Sequence, residues 1–169
     1  MRLMLILFFT CLTIHAGEGT KLDLPEYFKP FAPLVGSTWV ADFPSGGMVD
    51  THTYEWVYGG KFLRNIHHVS DSANKVVYQG ETIFGWDHKQ KKIVWWYWNQ
   101  TGGHLTGTLT FEGGKYVIDG INNAPGDQNQ TDKVRGEMTI GKDGWQSSQF
   151  FWKDGQWELQ FVMDFKKKS

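Results

Sequence analysis

The sequence predicts an all-β domain: an antiparallel meander of about ten strands closed into a barrel, with one short helix ahead of it. Three observations carry this. Turn signals recur along the chain at Gly46-Gly47, Gly59-Gly60, Ser72-Ala73-Asn74, Asp87 to Lys91, Gly102-Gly103, Gly113-Gly114, Pro125-Gly126, Asp143-Gly144 and Asp154-Gly155. Gly-Gly and Asp-Gly between apolar runs are strong hairpin signals, because the primed turns need positive φ. The intervening pieces are rich in Val, Ile, Thr, Tyr, Phe and Trp, which suit a pleated, half-buried surface. No long stretch of helical period separates them, which excludes a parallel βαβ arrangement.

The elements follow in order. Met1-Arg2 precedes an apolar run from Leu3 to Ile14 and then small residues at Ala16, Gly17 and Gly19. One positive charge, a short apolar stretch and small residues form the layout of a secretory signal peptide over 1–19, cleaved near 16–19. The run is shorter than the roughly 20 residues a spanning helix needs, so no permanent membrane anchor is expected. The only cysteine, Cys11, sits inside this leader, in a context that suits a lipid-anchored precursor poorly. Residues 20–169 are then one domain. Pro25 to Leu34 is a helical candidate, kept short by Pro30 and Pro33, and Gly36-Ser37-Thr38-Trp39 opens the first strand, with Trp39 expected to plug one end of the barrel against the helix. The strands are predicted at 37–44, 48–58, 61–70, 75–86, 92–99, 104–111, 115–121, 132–140, 145–152 and 156–165. An open meander of this length would leave two bare edges, and closure removes both. Lys166-Lys167-Lys168 reads as a solvated end.

Composition narrows the function classes. The 169 residues carry 17 basic and 18 acidic side chains, a net charge of −1. A polyanion binder shows a basic excess, so nucleic acid is not the expected partner. Cleavage at Ala16 would remove Arg2 and leave 16 basic against 18 acidic residues, with no cysteine. Such a secreted chain is held by its core alone, and its size permits that.

The segments "PLVGSTW", "YEWVYGGKFLRNIHH" and "GETIFGWDHKQKKIVWWYWNQTGG" carry a resemblance. With the short helix, the Gly and Trp at the first strand, Tyr54-Glu55-Trp56 before Gly59-Gly60, and Gly80-Glu81 with Gly85 and Asp87, the chain resembles an uncharacterised bacterial family of lipocalin-like (calycin-type) barrels from about residue 25 to 165. The resemblance implies a lipocalin/fatty-acid-binding-protein-like barrel with an interior and no assured activity. A more distant likeness is to nitrobindin-type haem barrels, which hold haem through a His near the C-terminal strands. Here the last His is His104, and 145–165 contains none, so no cofactor is assigned.

The hairpin across Gly59-Gly60 holds most of the candidate chemistry. A two-residue turn would place Tyr58 opposite Lys61, Glu55 opposite Arg64, His52 opposite His67 and Thr51 opposite His68. Alternation puts Thr51, Thr53, Glu55 and Val57 with Phe62, Arg64, Ile66 and His68 on one face, and His52, Tyr54, Trp56 and Tyr58 with Lys61, Leu63, Asn65 and His67 on the other. Both faces mix polar and apolar groups, which suits a partly polar barrel interior and leaves open which face is inside. Glu55 and Arg64 are either a cavity pair that meets a ligand's polar end, with Glu81 able to join from the fourth strand, or an ordinary surface ion pair. His52 and His67 are a cross-strand pair able to offer two metal ligands, short of the three or four zinc wants; His67 and His68 point to opposite faces and cannot share one ion. No metal site and no catalytic residue is assigned: a GxSxG elbow, a cysteine nucleophile and a phosphate loop are all missing from the sequence. Asn99-Gln100-Thr101 and Asn129-Gln130-Thr131 match the glycosylation pattern, idle in a bacterial source.

Trp95-Trp96-Tyr97-Trp98 puts aromatics on both faces of one strand. Trp95 shares a side with Ile93 and Tyr97, and Trp96 and Trp98 share the other, so one set points outward, covered by the helix or by a second copy in a homodimer. The expected function is a secreted or periplasmic barrel that binds a small hydrophobic or amphipathic ligand, with Glu55, Arg64, Thr53, His52, His67, Glu81 and Trp95 as cavity candidates. An enzyme using the same cavity, with Glu55 or a histidine as general base, and an interaction module built on the Trp strand are the alternatives.

Overall fold

A computed structural model of the chain describes residues 22–123 and 133–169. The leader, the Pro125-Gly126 turn and the Asn129 acceptor pattern lie outside the described residues.

Ten antiparallel strands form a closed barrel: β1 (Thr38–Asp42), β2 (Met48–Val57), β3 (Phe62–Asp71), β4 (Val76–Asp87), β5 (Lys92–Asn99), β6 (His104–Glu112), β7 (Lys115–Asn122), β8 (Lys133–Ile140), β9 (Gly144–Lys153) and β10 (Gln156–Lys167). Each strand pairs with its neighbours in sequence, and β1 closes the ring on β10 through Trp39↔Lys167 and Val40↔Lys166. Lys166 and Lys167 are therefore strand residues, and both are exposed, as a solvated end should be. Lys167 Nζ lies 5.5 Å over the Trp39 ring.

The β2–β3 register pairs Glu55 with Arg64 and His52 with His67, as the sequence predicts. The turn itself is longer than expected. The ladder stops at Val57↔Phe62, and Tyr58, Gly59 and Gly60 all have positive φ. Four turn residues span the same gap as a two-residue loop flanked by one further pair, so the register survives.

The helix is a 3-10 helix over Glu26–Leu34. Pro30 and Pro33 within it leave no amide to donate an α-type bond. With three residues per turn, Phe28, Phe31 and Leu34 fall in one line, and all three are buried. Phe28 packs on Trp56, Phe31 on Tyr116, and Tyr27 stacks on Trp86 at 4.4 Å. Trp39 Nε1 donates to the Leu34 carbonyl at 2.8 Å, which pins the helix end to β1. Three buried large apolar side chains contribute about 5–9 kcal/mol as an upper bound. The helix therefore stoppers one end of the barrel, the end at which β2, β4 and β6 finish.

A buried carboxylate–imidazole network as the candidate functional site

Alternation along β2 turns Asp50, His52, Tyr54 and Trp56 inward, and along β3 it turns in Leu63, Asn65, His67 and Val69; Tyr54, Leu63, Asn65 and Val69 are buried. On β4 and β5 the inward set includes Tyr78, Gly80, Phe84, Ile93, Trp95 and Tyr97. Gly80 lies beneath the Tyr97 ring, and any Cβ there would overlap it. Trp95 takes up the corresponding space over Gly120 and donates from Nε1 to the Thr108 carbonyl at 3.2 Å.

These inward residues join into one hydrogen-bonded chain. Asn65 Nδ2 donates to His52 Nδ1 at 3.1 Å and to the Thr53 carbonyl at 3.2 Å. An acceptor at Nδ1 places the His52 proton on Nε2, which donates to Asp50 Oδ2 at 3.1 Å. His67 Nδ1 donates to the other oxygen, Asp50 Oδ1, at 3.2 Å. His67 Nε2 faces the Tyr97 hydroxyl at 3.1 Å, and that hydroxyl lies 2.6 Å from the hydroxyl of Tyr78. The imidazoles stack at 4.9 Å, and His52 meets the stacked Trp145 and Phe165 rings in T-shaped contacts at 5.2 and 4.8 Å.

Asp50 is only 7% exposed. Burial alone would raise its carboxyl, but the hydrogen bonds from His52 and His67 outweigh this and hold it well below the usual carboxylate range. Burial pushes His52 down despite its carboxylate neighbour. Tyr54 and Tyr97 are pushed up by burial, so both stay neutral phenols. The arrangement is an ionised carboxylate between two imidazole donors.

One carboxylate and two imidazoles, with ligand atoms all within 4.8 Å of one another, are also a set that transition metals use. The surroundings of His52 oppose that use. A metal on Nε2 would move the ring proton to Nδ1, facing the Asn65 amide hydrogens, and turning the amide over would set its oxygen against the Thr53 carbonyl.

The structure separates the sequence candidates. His52, His67 and Trp95 face inward. Glu55, Arg64, Thr53 and Glu81 face outward: Arg64 forks onto Glu81 at 2.8 and 2.9 Å and reaches Glu55 at 2.8 Å, with the Glu55 side chain 52% exposed. Arg64 is thus a surface clasp across β2, β3 and β4, and it does not line the interior. Trp96 and Trp98 point outward at 36% and 47% exposure, beside Ile66. The helix sits on the barrel end and does not cover them. Asp50, Asn65, Tyr78 and Tyr97 were not among the candidates. Asp50 was legible as the inward neighbour of His52 two residues along β2, diagonal to His67.

Among the described residues the helix end of the interior is filled and the opposite end is less tightly packed. Tyr78, Tyr97, Leu105, Ser147, Gln149 and Phe161 belong to the inward-facing set yet are only half-buried. A recess therefore opens beside the network, away from the helix.

No family profile and no curated protein matches the chain. Among solved structures it is similar to the crystal structure of Rv2717c from M. tuberculosis, with a TM-score of 0.61 and 14% identity over 87% of this chain and 100% of that one. At that identity the likeness shows a shared barrel fold and nothing about activity.

Proposed function

We propose that this protein is a secreted or periplasmic barrel that binds a small molecule in the recess, the apolar body against Phe161 and Leu105 and the polar end against Tyr78 and Tyr97. The observation that carries the reading is the half-buried inward ring of side chains around a buried, ionised Asp50. Taking a carboxylate out of water costs several kcal/mol before its hydrogen bonds offset it. A barrel that only needed a core would fill this level with apolar groups at lower cost. The apolar leader supports export. Native mass spectrometry of protein purified without refolding tests the reading: a small molecule held by wild type, and lost when Leu105 and Phe161 are replaced by Trp and Arg, supports it. Displacement of an apolar fluorescent dye gives the same answer in solution, and a protein that takes up neither ends the proposal.

One observation favours an enzyme using the same recess as a second reading. Asp50 orients His67 through Nδ1, and its Nε2 faces a hydroxyl, the layout of a carboxylate-steadied general base. Turnover of a bound molecule, abolished by His67→Gln with binding retained, would select it.

A further inference from the structure

We infer that the recess selects a ligand whose polar end is a hydrogen-bond donor, an amphipathic amine above all, because the network's proton count leaves only an acceptor at its open end. This rests on the binding function proposed above and names the ligand class for that site.

The count starts at Asn65, the one member whose orientation a backbone group fixes. Its amide nitrogen donates to the Thr53 carbonyl and to His52 Nδ1, so His52 carries its proton on Nε2 and gives it to Asp50. The second Asp50 oxygen is taken by His67 Nδ1–H. With its proton on Nδ1, the lone pair of His67 is on Nε2, and the group within reach is the Tyr97 hydroxyl. Tyr97 spends its proton there, so the 2.6 Å contact to Tyr78 requires Tyr78 to be the donor. Tyr78 has now spent its only proton. Its oxygen makes no second hydrogen bond among the described residues, and the residue is half-buried at the recess. What a ligand meets at the end of the chain is a lone pair.

Charge points the same way. Asp50 is ionised, and among the described residues no arginine or lysine is paired with it on the inward face; Arg64 and Arg135 spend their charges outside on Glu55, Glu81 and Asp119. A carboxylate held behind a lone pair favours an ammonium over a neutral hydroxyl and disfavours a second carboxylate. The aromatic wall at Phe161 suits an apolar body and tolerates a cation. Ser147 and Gln149 each offer both donor and acceptor, so they do not discriminate.

The test uses three probes with one ten-carbon chain, decylamine, decanol and decanoate, competing with an apolar dye at pH 8. The expected order is amine, then alcohol, then carboxylate, with at least about a tenfold gap between the first and last, the equivalent of one charge-assisted hydrogen bond. Tyr78→Phe removes the terminal lone pair and leaves Tyr97 and the inner network in place. It should cut amine and alcohol binding severalfold and lower dye binding by less. A carboxylate that binds as well as the amine, or an amine preference untouched by Tyr78→Phe, overturns the inference while the binding barrel stands. If the dye and all three probes fail to bind, the binding function itself falls.

Discussion

Replacing Asp50 by Asn removes one charge and changes no heavy-atom outline, which makes it the most direct perturbation of the network. The carboxylate accepts from His52 Nε2 and His67 Nδ1, one oxygen each. Asparagine offers one oxygen and two N–H hydrogens to those same two donors. One imidazole keeps an acceptor, and the other faces a donor. Two charge-assisted bonds, each worth about 1.5–3 kcal/mol, become one neutral bond worth about 1 kcal/mol and one unpaired buried donor costing about 1–3 kcal/mol. Relief from burying a charge returns part of that. We expect a net loss of about 2–4 kcal/mol, a fall in Tm of roughly 5–15 °C for a chain of this size. Urea unfolding followed by tryptophan fluorescence at pH 7.5 reads it, with Glu55→Gln on the outer face as the matched control. A loss below about 0.5 kcal/mol, the range of an ordinary surface substitution, would refute the reasoning, and so would a control that loses as much.

Four further outcomes are expected. Burial holds His52 below the ordinary imidazole value near 6.5, so the unfolded chain takes up that proton first; stability is full above this pH and falls below it by up to about 1.4 kcal/mol per pH unit, with a second loss below about pH 4 as Asp50, depressed in the fold, becomes protonated on unfolding. Urea midpoints that stay level from pH 7 to pH 5 would contradict this, and His52→Gln should flatten the upper limb. Arg64→Ala should cost under about 1 kcal/mol, since its partners are outward and part-exposed; a loss above 2 would place the clasp inside after all. Trp39→Phe should cost about 1 kcal/mol more than Trp145→Phe, because the Trp39 indole bonds the Leu34 carbonyl whereas the buried Trp145 Nε1 has no partner among the described residues; equal losses in calorimetry would void that ranking. With Trp96 and Trp98 uncovered, sedimentation at micromolar concentration should find a dimer that Trp96→Ser with Trp98→Lys converts to monomer, and a wild type monomeric at every concentration removes it.

The strand pattern was readable because each turn announces itself with a residue that tolerates positive φ, and the β2–β3 register followed from the spacing around Gly59-Gly60. Which face is inside was not readable from that hairpin alone. Thr53, Glu55 and Arg64 alternate with His52, Tyr54 and Asn65, so neither set is oily, and the decision lies with the partners across the barrel: Trp145, Phe165 and the helix that lies against Trp56. Tyr78 and Tyr97 were out of reach for a local reason. The ladder between β3 and β4 shifts between Val69 and Ser70, so counting back from the Ser72-Ala73-Asn74 turn places Tyr78 against the wrong neighbour. Asp50 drew no reading, because a single carboxylate says nothing until two imidazoles are set beside it.

The seam between β1 and β10 bears on how the chain folds. Every other pairing in the barrel joins strands consecutive in sequence, so each can form by local zipping with little chain entropy at stake. Trp39↔Lys167 and Val40↔Lys166 join residues more than 120 positions apart and hold the ring shut with two register pairs. That makes the seam the strand pairing with the largest sequence separation, and a late event: an open, curved sheet accumulates first, and the ends meet once. The same asymmetry governs native opening. Amides of Val40 and Lys166 should exchange with solvent through partial unzipping, well before those of β3 and β4, and the indole of Trp39 is the bolt that both the helix and the last strand must release.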